Sequence, residues 1–244
     1  DAVLIEGLEK TILVDTGPPS DRASLMNELN KRNIKKIDVL LLSHSHADHI
    51  GNAAEVIENY EVGSVIEAGF PSTSPYVKKY YLAVEKKKIP LRHNKLGDVI
   101  EVGDGAYLRF LTPIPEFDSS KNINNQSIVT KLVYGKMSVL LTGDIEKDLE
   151  NRLVKYYAGT NELTSEFLKS PHHGSKTSSS ARFISAINSK VALISLKSKN
   201  DFGHPHDLIL QRYEKHNMKV YQTNLNGTIR VLLGKDSYKI STEF

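Results

Sequence analysis

Three histidines and an aspartate stand within six residues in Ser43-His44-Ser45-His46-Ala47-Asp48-His49-Ile50-Gly51. Imidazole nitrogens and carboxylate oxygens are ligands that zinc, manganese and iron accept. In an extended loop His44 and His46 point the same way, because side chains repeat with a period of two. Asp48 and His49 fall where a helix predicted over residues 50–60 begins, which lets them reach a second cation beside the first. Asp144 ends an apolar strand at Leu141-Thr142-Gly143-Asp144. A carboxylate there can bridge two cations about 3.5–4 Å apart, although alone it also suits a helix N-cap. Adjacent His172 and His173 close a later strand and point in different directions, one towards a metal and the other towards substrate.

The elements that must position these residues alternate strand and helix after a strand-rich start. Residues 11–14 form a short apolar strand ending at Asp15-Thr16-Gly17-Pro18-Pro19, and Ser20 or Asp21 caps a helix to about residue 32. The apolar run 37–42 reads as a buried strand that delivers the histidine loop. A strand over 62–68 and a helix over 77–88, closed by Pro90, come next. Strands and turns fill 96–112, a long polar loop spans 113–125, and residues 127–133 pair with Met137–Leu141 in a hairpin. A helix runs from Asp144 to about 157, then a strand at 166–168, a helix Ala181–Ile187 and a strand 191–196. The turn Gly203-His204-Pro205-His206, a helix over 207–216 and strands Lys219–Gln222 and 228–233 finish the chain. Two sheets' worth of strands among about six helices predict a four-layer α/β sandwich, helices outside and two sheets inside, in one domain over residues 1–244.

Composition sets outer bounds. A quarter of the 244 residues are charged and 39% apolar, the profile of a soluble globular chain. No apolar run approaches the ~20 residues of a membrane span, and no basic-then-apolar stretch stands at residue 1. It starts inside a predicted strand, Ala2-Val3-Leu4-Ile5-Glu6, so an upstream segment is expected. A net charge of +3 leans mildly towards anionic partners. The absence of cysteine excludes disulfides, a thiolate ligand and a cysteine nucleophile.

Ser-His-Ser-His-Ala-Asp-His-Ile-Gly resembles the His-x-His-x-Asp-His signature of the metallo-β-lactamase fold, whose αββα architecture matches the predicted layers. The resemblance implies metal ligation by His44, His46, Asp48, His49 and Asp144, and by a histidine of the 172–173 pair. We assign His173 to metal, and His172 to substrate contact or leaving-group protonation. Asp15 resembles the family's aspartate that hydrogen-bonds a ligand histidine and fixes its tautomer. One departure stands out. Many members supply a further ligand histidine before the bridging aspartate, but between His49 and Asp144 this chain has only His93, in what reads as a connection. The matching position is Asn124-Asn125-Gln126-Ser127, so either one cation has fewer protein ligands or Asn125 or water replaces the imidazole. A hard amide ligand makes manganese plausible beside zinc.

That departure narrows the likeness. Val-x-Leu-Leu-Thr-Gly-Asp, with Asn-Asn-x-Ser before it and His-His-Gly-Ser and Gly-His-Pro-His after it, resembles the metallo-hydrolase domain of ComEC-type DNA-uptake proteins and their stand-alone relatives. A more distant likeness is to phosphorylcholine esterases of bacterial surfaces. Both imply phosphodiester cleavage. The first also implies a nucleic-acid partner and an extracytoplasmic place. Two divalent cations bring four positive charges, of which Asp48, Asp144 and one hydroxide remove three, so the remainder suits a phosphodiester anion. Asn125, Ser127, Lys176, His204 and His206 are the expected substrate contacts, although Gly-His-Pro-His equally suits a turn before the helix at Asp207. Asp48 is expected to orient the nucleophile. The rival readings are an acyl-bond hydrolase for lactams or thioesters on the same fold, and a metal- or DNA-binding module without catalysis.

Overall fold

Val39–Leu42 has four apolar residues in a row, and all four are buried. Such a run belongs in the middle of a parallel sheet covered on both faces. A computed structural model describes residues 1–119, 121–197 and 199–244. The chain divides into two compact units, Asp1–Lys95 with Glu101–Asp104, and Leu96–Ile100 with Gly105–Phe244.

The first unit contains β1 (Val3–Glu6), β2 (Thr11–Val14), α1 (Arg22–Lys31), β3 (Lys36–Ile37), β4 (Val39–Leu42), α2 (Ala47–Ile50), α3 (Ala53–Asn59), β5 (Glu61–Val62), β6 (Val65–Glu67), α4 (Pro75–Lys87) and β7 (Leu91–His93). Its sheet has the order β1-β2-β4-β6-β7, with β4 in the centre. An antiparallel hairpin opens it, and β2, β4, β6 and β7 run parallel. Leu40 and Leu42 of β4 share a core with Leu13, Val65, Leu29 of α1, Val56 and Ile57 of α3, and Tyr80 of α4. Each such leucine contributes roughly 1.5–3 kcal/mol by leaving water.

Two expected elements are shorter than their sequence pattern. The helix predicted over 50–60 is two pieces, α2 and α3, broken at Gly51-Asn52. A Cβ on Gly51 would lie 2.4 Å from both the Ala47 carbonyl oxygen and Pro19 Cδ, so only glycine lets the loop after β2 approach this closely. The strand predicted over 62–68 is split by Gly63-Ser64 into β5 and β6, which join different sheets. The segment around His93, expected as a connection, is edge strand β7. His93 lies over Gly69 with Nε2 3.3 Å from Glu67, a buried carboxylate that also accepts from the hydroxyls of Tyr80 and Tyr81.

The second unit contains β8 (Val99–Gly103), which straddles the boundary, β9 (Ala106–Phe110), β10 (Thr130–Tyr134), β11 (Met137–Leu141), α5 (Lys147–Tyr156), β12 (Phe167–Lys169), α6 (Ala181–Ile187), β13 (Val191–Ile194), α7 (Asp207–Lys215), β14 (Lys219–Gln222), α8 (Thr223–Asn226), β15 (Ile229–Leu233) and β16 (Tyr238–Thr242). The sheet order is β14-β13-β12-β11-β10-β9-β8. Pairing is antiparallel from β9 to β11 and parallel from β11 to β14. Leu140, Leu168, Ala192 and Ile194 of three parallel strands pack with Leu149 and Leu153 of α5, Phe183 and Ile184 of α6, and Ile209 and Tyr213 of α7. The hairpin of β15 with β16 was only half foreseen, because β16 has one inward residue and little apolar signal.

Each unit thus carries one large sheet, one two-stranded sheet and its own helices, the α/β content expected. Among the described residues no helix is long and apolar enough to cross a membrane.

Candidate metal centre

In parallel sheets, ligand sites collect where strands end at their carboxyl edge. In the first unit β2 ends at Asp15 and β4 at Ser43, side by side. Asp15 holds a left-handed backbone, φ 60°, a conformation that aspartate tolerates better than most residues. Its carboxylate accepts from the Ser43 backbone N–H through Oδ1 and from the Ser43 hydroxyl through Oδ2, both at 2.7 Å. The same Oδ2 accepts from His49 Nδ1 at 2.7 Å. Burial pushes this carboxyl up, but the charge and hydrogen bond of His49, the Ser43 N–H and the charge of His44 together hold it below its usual range.

An ionised Asp15 dictates tautomers. His49 must donate from Nδ1, which leaves a lone pair on Nε2. Ser43 spends its proton on Asp15, so its oxygen accepts from His44 Nδ1 at 3.1 Å, and His44 likewise presents a lone pair on Nε2. That Nε2 lies 3.1 Å from Nδ1 of His46. One buried carboxylate therefore orients two imidazoles, one directly and one through a serine. Replacing Asp15 with asparagine is expected to weaken metal affinity about 10–100-fold. Competition against a graded series of chelators would measure it; an unchanged affinity would show that this relay does not set the ligands.

The loop is strapped from behind. Asn52 Nδ2 donates to the carbonyls of Thr16 and Pro18, at 2.9 and 2.8 Å. Thr16 N–H donates to the His49 carbonyl at 2.6 Å. Nothing in the sequence pattern marked Asn52. Asp1 was missed as well. Its carboxylate is buried, with Oδ2 3.9 Å from His49 Nε2, while Asp48 Oδ2 approaches the same nitrogen to 3.8 Å. Both separations are too long for hydrogen bonds, and that between Asp1 and His49 leaves room for a cation between them. Asp1 and His49 are candidate ligands on this ground.

In the second unit the chemistry again follows strand ends. Asp144 lies three residues after β11 and is buried, and its backbone N–H donates to Ser127 Oγ at 3.0 Å. The helix predicted to start there begins at Lys147 with Glu146 as N-cap, so Asp144 is not the cap. His172 and His173 follow β12 with left-handed backbones, φ 48° and 54°, at a cost of order 1–3 kcal/mol each. His173 donates from Nδ1 to the Ser195 carbonyl at 2.8 Å, which leaves the lone pair on Nε2, 3.3 Å from Asp144 Oδ2. His172 turns elsewhere, with Nδ1 3.2 Å from Thr177 Oγ1 and 3.4 Å from Glu146 Oε1. Burial pushes its pKa down, with Asp144 and Glu146 opposing and His173 adding.

Two charged neighbours here carried no sequence signal. Lys169, the last residue of β12, is buried with Nζ 3.8 Å from Asp144 Oδ1. Glu146 accepts from Asn122 and Asn124 side-chain amides at 2.8 and 2.9 Å and from Thr177 at 3.1 Å.

The expected substrate contacts fall into two groups. Asn125 Oδ1 accepts from the Glu146 backbone N–H at 2.8 Å and Ser127 Oγ from that of Asp144, so the polar oxygens of both brace the loop after β11. His204 and His206 lie with His172, ring centroids 5.5 Å apart for His204–His172 and 5.1 Å for His204–His206. Burial, then the neighbouring imidazoles of His172, His173 and His206, push His204 down to about 4. Lys176 is exposed, and its backbone N–H donates to His206 Nδ1 at 3.3 Å.

The donor set suits a metal. Zn–N bonds of about 2.0–2.1 Å at a tetrahedral angle hold two imidazole nitrogens about 3.3 Å apart, close to the 3.1 Å between His44 and His46. The family model of the metallo-beta-lactamase superfamily matches residues 1–198. The chain belongs to the metallo-β-lactamase superfamily. Members of this superfamily are metal-dependent hydrolases, and the fold is its α/β sandwich. The chain is 35% identical over 203 residues to ComE operon protein 3 of Bacillus subtilis (strain 168), covering 83% of itself and 25% of that protein. It is 29% identical to competence protein ComA of Neisseria gonorrhoeae, covering 98% of itself and 31% of that protein. It therefore spans about a quarter to a third of these relatives. Among solved structures, the metallo-β-lactamase fold protein YhfI from Bacillus subtilis superposes with a TM-score of 0.55 at 14% identity, over 91% of this chain and 88% of that one. In this metallo-β-lactamase member Asp1, which no motif marked, lies beside His49.

Proposed function

We propose that the chain is a dinuclear metal-dependent phosphodiesterase that cleaves DNA. His44, His46, Asp48, His49, Asp144 and His173 hold two divalent cations, zinc or manganese, with Asp1 as a further carboxylate ligand. The observation that carries this reading is the set of tautomers locked by Asp15 and Ser43, which puts the lone pair of both His44 and His49 on Nε2, as ligation of a cation requires. When bound, such cations lower the pKa of water towards ~7 and take charge from phosphoryl oxygens. Asp48, which is half-exposed, orients the attacking water. A bound phosphodiester anion raises the proton affinity of His172, and that imidazole protonates the leaving alkoxide. Lys169 beside Asp144 adds a positive charge that favours an anion.

Nucleic acid as substrate is supported by the competence proteins among the relatives. On this reading the domain works on the extracytoplasmic side. Metal-loaded protein should hydrolyse bis-p-nitrophenyl phosphate and single-stranded DNA, with His44→Ala losing about 100-fold or more of the rate. No turnover of either with zinc, manganese or magnesium would overturn the proposal. Turnover of a chromogenic lactam or a thioester alone would reassign the chain to acyl hydrolysis.

A further inference from the structure

Phe202 is a large apolar side chain that the fold holds in water, 75% exposed. Burying such a ring gains roughly 1.5–3 kcal/mol, and here that gain is forgone. The ring does not sit on a loose tip. Asn200 closes the turn around it, accepting from the His204 backbone N–H through Oδ1 and donating to the His204 carbonyl through Nδ2, both at 2.8 Å. The turn is then fastened to the histidine pair. A Cβ on Gly174 would lie 2.7 Å from Pro205 Cβ, and His206 N–H donates to the Gly174 carbonyl at 3.0 Å.

The rings form a ladder. Phe202 stacks on His204 with centroids 5.6 Å apart and planes 26° apart. His204 in turn faces His173 at 6.3 Å and 22°. A near-parallel series therefore leads from His173 outward to an open aromatic face. Exposed Lys176, Lys197 and Lys199 belong to the same two loops. An open aromatic face in a loop that also carries exposed lysines, with one acid, Asp201, beside the ring, matches how proteins hold unpaired nucleic acid, with cations on the backbone and aromatic rings under the bases.

We infer that Phe202, backed by His204, is a stacking platform for an unpaired nucleobase next to the scissile phosphate, and that it makes the chain select single-stranded over duplex DNA. This rests on the phosphodiesterase reading above. In a duplex both faces of a base are already covered, and extruding one costs a few kcal/mol. In a single strand the base face is available, and stacking on an aromatic side chain contributes about 1–3 kcal/mol.

The test compares binding of a thymidine phosphorothioate oligomer of about ten nucleotides with that of an abasic phosphorothioate of equal length. Fluorescence anisotropy would be read on metal-loaded protein as wild type, Phe202→Ala and Phe202→Trp. Wild type should prefer the base-bearing oligomer by about 5–150-fold. The preference should collapse towards unity in Phe202→Ala and return in Phe202→Trp. An equal preference in wild type and Phe202→Ala, or no preference in wild type, overturns the platform. Hydrolysis of bis-p-nitrophenyl phosphate, which has no base to stack in this way, reports separately on the phosphodiesterase. Turnover without base preference removes only the platform, whereas base preference without turnover keeps the platform and removes the phosphodiesterase.

Discussion

Replacing Asp144 with alanine is expected to lower kcat/KM on a phosphodiester by about 100- to 10,000-fold, corresponding to about 3–5 kcal/mol of lost transition-state stabilisation. Two consequences combine. One proposed carboxylate ligand disappears, and the buried ammonium of Lys169, 3.8 Å from Asp144 Oδ1, loses a negative neighbour. A positive charge at that place repels a cation that would otherwise bind, so metal content should fall with activity. Asp144→Asn keeps the shape and removes the charge, and it should share the loss. Kinetics on bis-p-nitrophenyl phosphate together with metal analysis of the same samples decide it. Activity of either variant within about threefold of wild type would remove Asp144 from the ligand set.

The second large effect is on stability. Tyr213 of α7 is fully buried, and its hydroxyl pairs with Ser170 Oγ at 2.7 Å and Ser179 Oγ at 2.8 Å. Burial pushes its pKa up to about 12, so it stays a neutral phenol at any working pH. Ser170 stands immediately before Pro171-His172-His173, so this hydroxyl ties the helix to the strained turn that presents the histidines. Tyr213→Ala should cost about 3–5 kcal/mol by emptying the core. Tyr213→Phe should cost about 1–3 kcal/mol by leaving buried serine hydroxyls short of a partner. At this chain size each kcal/mol lowers Tm by about 2–4 °C. Urea melts would show the two losses in that order, and equal stability of all three proteins would contradict the packing described.

How much of this was legible beforehand depends on whether the signal was local. The loop after β4 packs its candidate ligands into six residues behind a fully apolar strand, so strand, loop and chemistry announce one another. Asp15, Asp144 and the 172–173 pair each follow an apolar strand, and that placement marked them as well. Asp1, Asn52, Glu146 and Lys169 had no such frame. Each is a single common polar residue whose importance comes from a neighbour far along the chain, as with Asn52 and Thr16 or Lys169 and Asp144. The helix break at Gly51 was hidden for the same reason. The apolar periodicity runs through it, and only the approach of Pro19 reveals why the chain must stop and restart. Asn125, read as a stand-in for a missing imidazole or a substrate contact, shows the reverse case. Its motif was visible, but its side-chain oxygen is turned onto the Glu146 backbone.

The most direct test of the account is metal counting. Purified protein would be stripped with chelator, reloaded with manganese or zinc, freed of excess metal and analysed by mass spectrometry, with wild type beside His44→Ala and Asp144→Ala. The account predicts about two equivalents of metal per wild-type chain, clearly fewer in each variant, and phosphodiester hydrolysis that rises with occupancy. Wild-type protein that retains essentially no metal, or that hydrolyses phosphodiesters equally well with none bound, would contradict it.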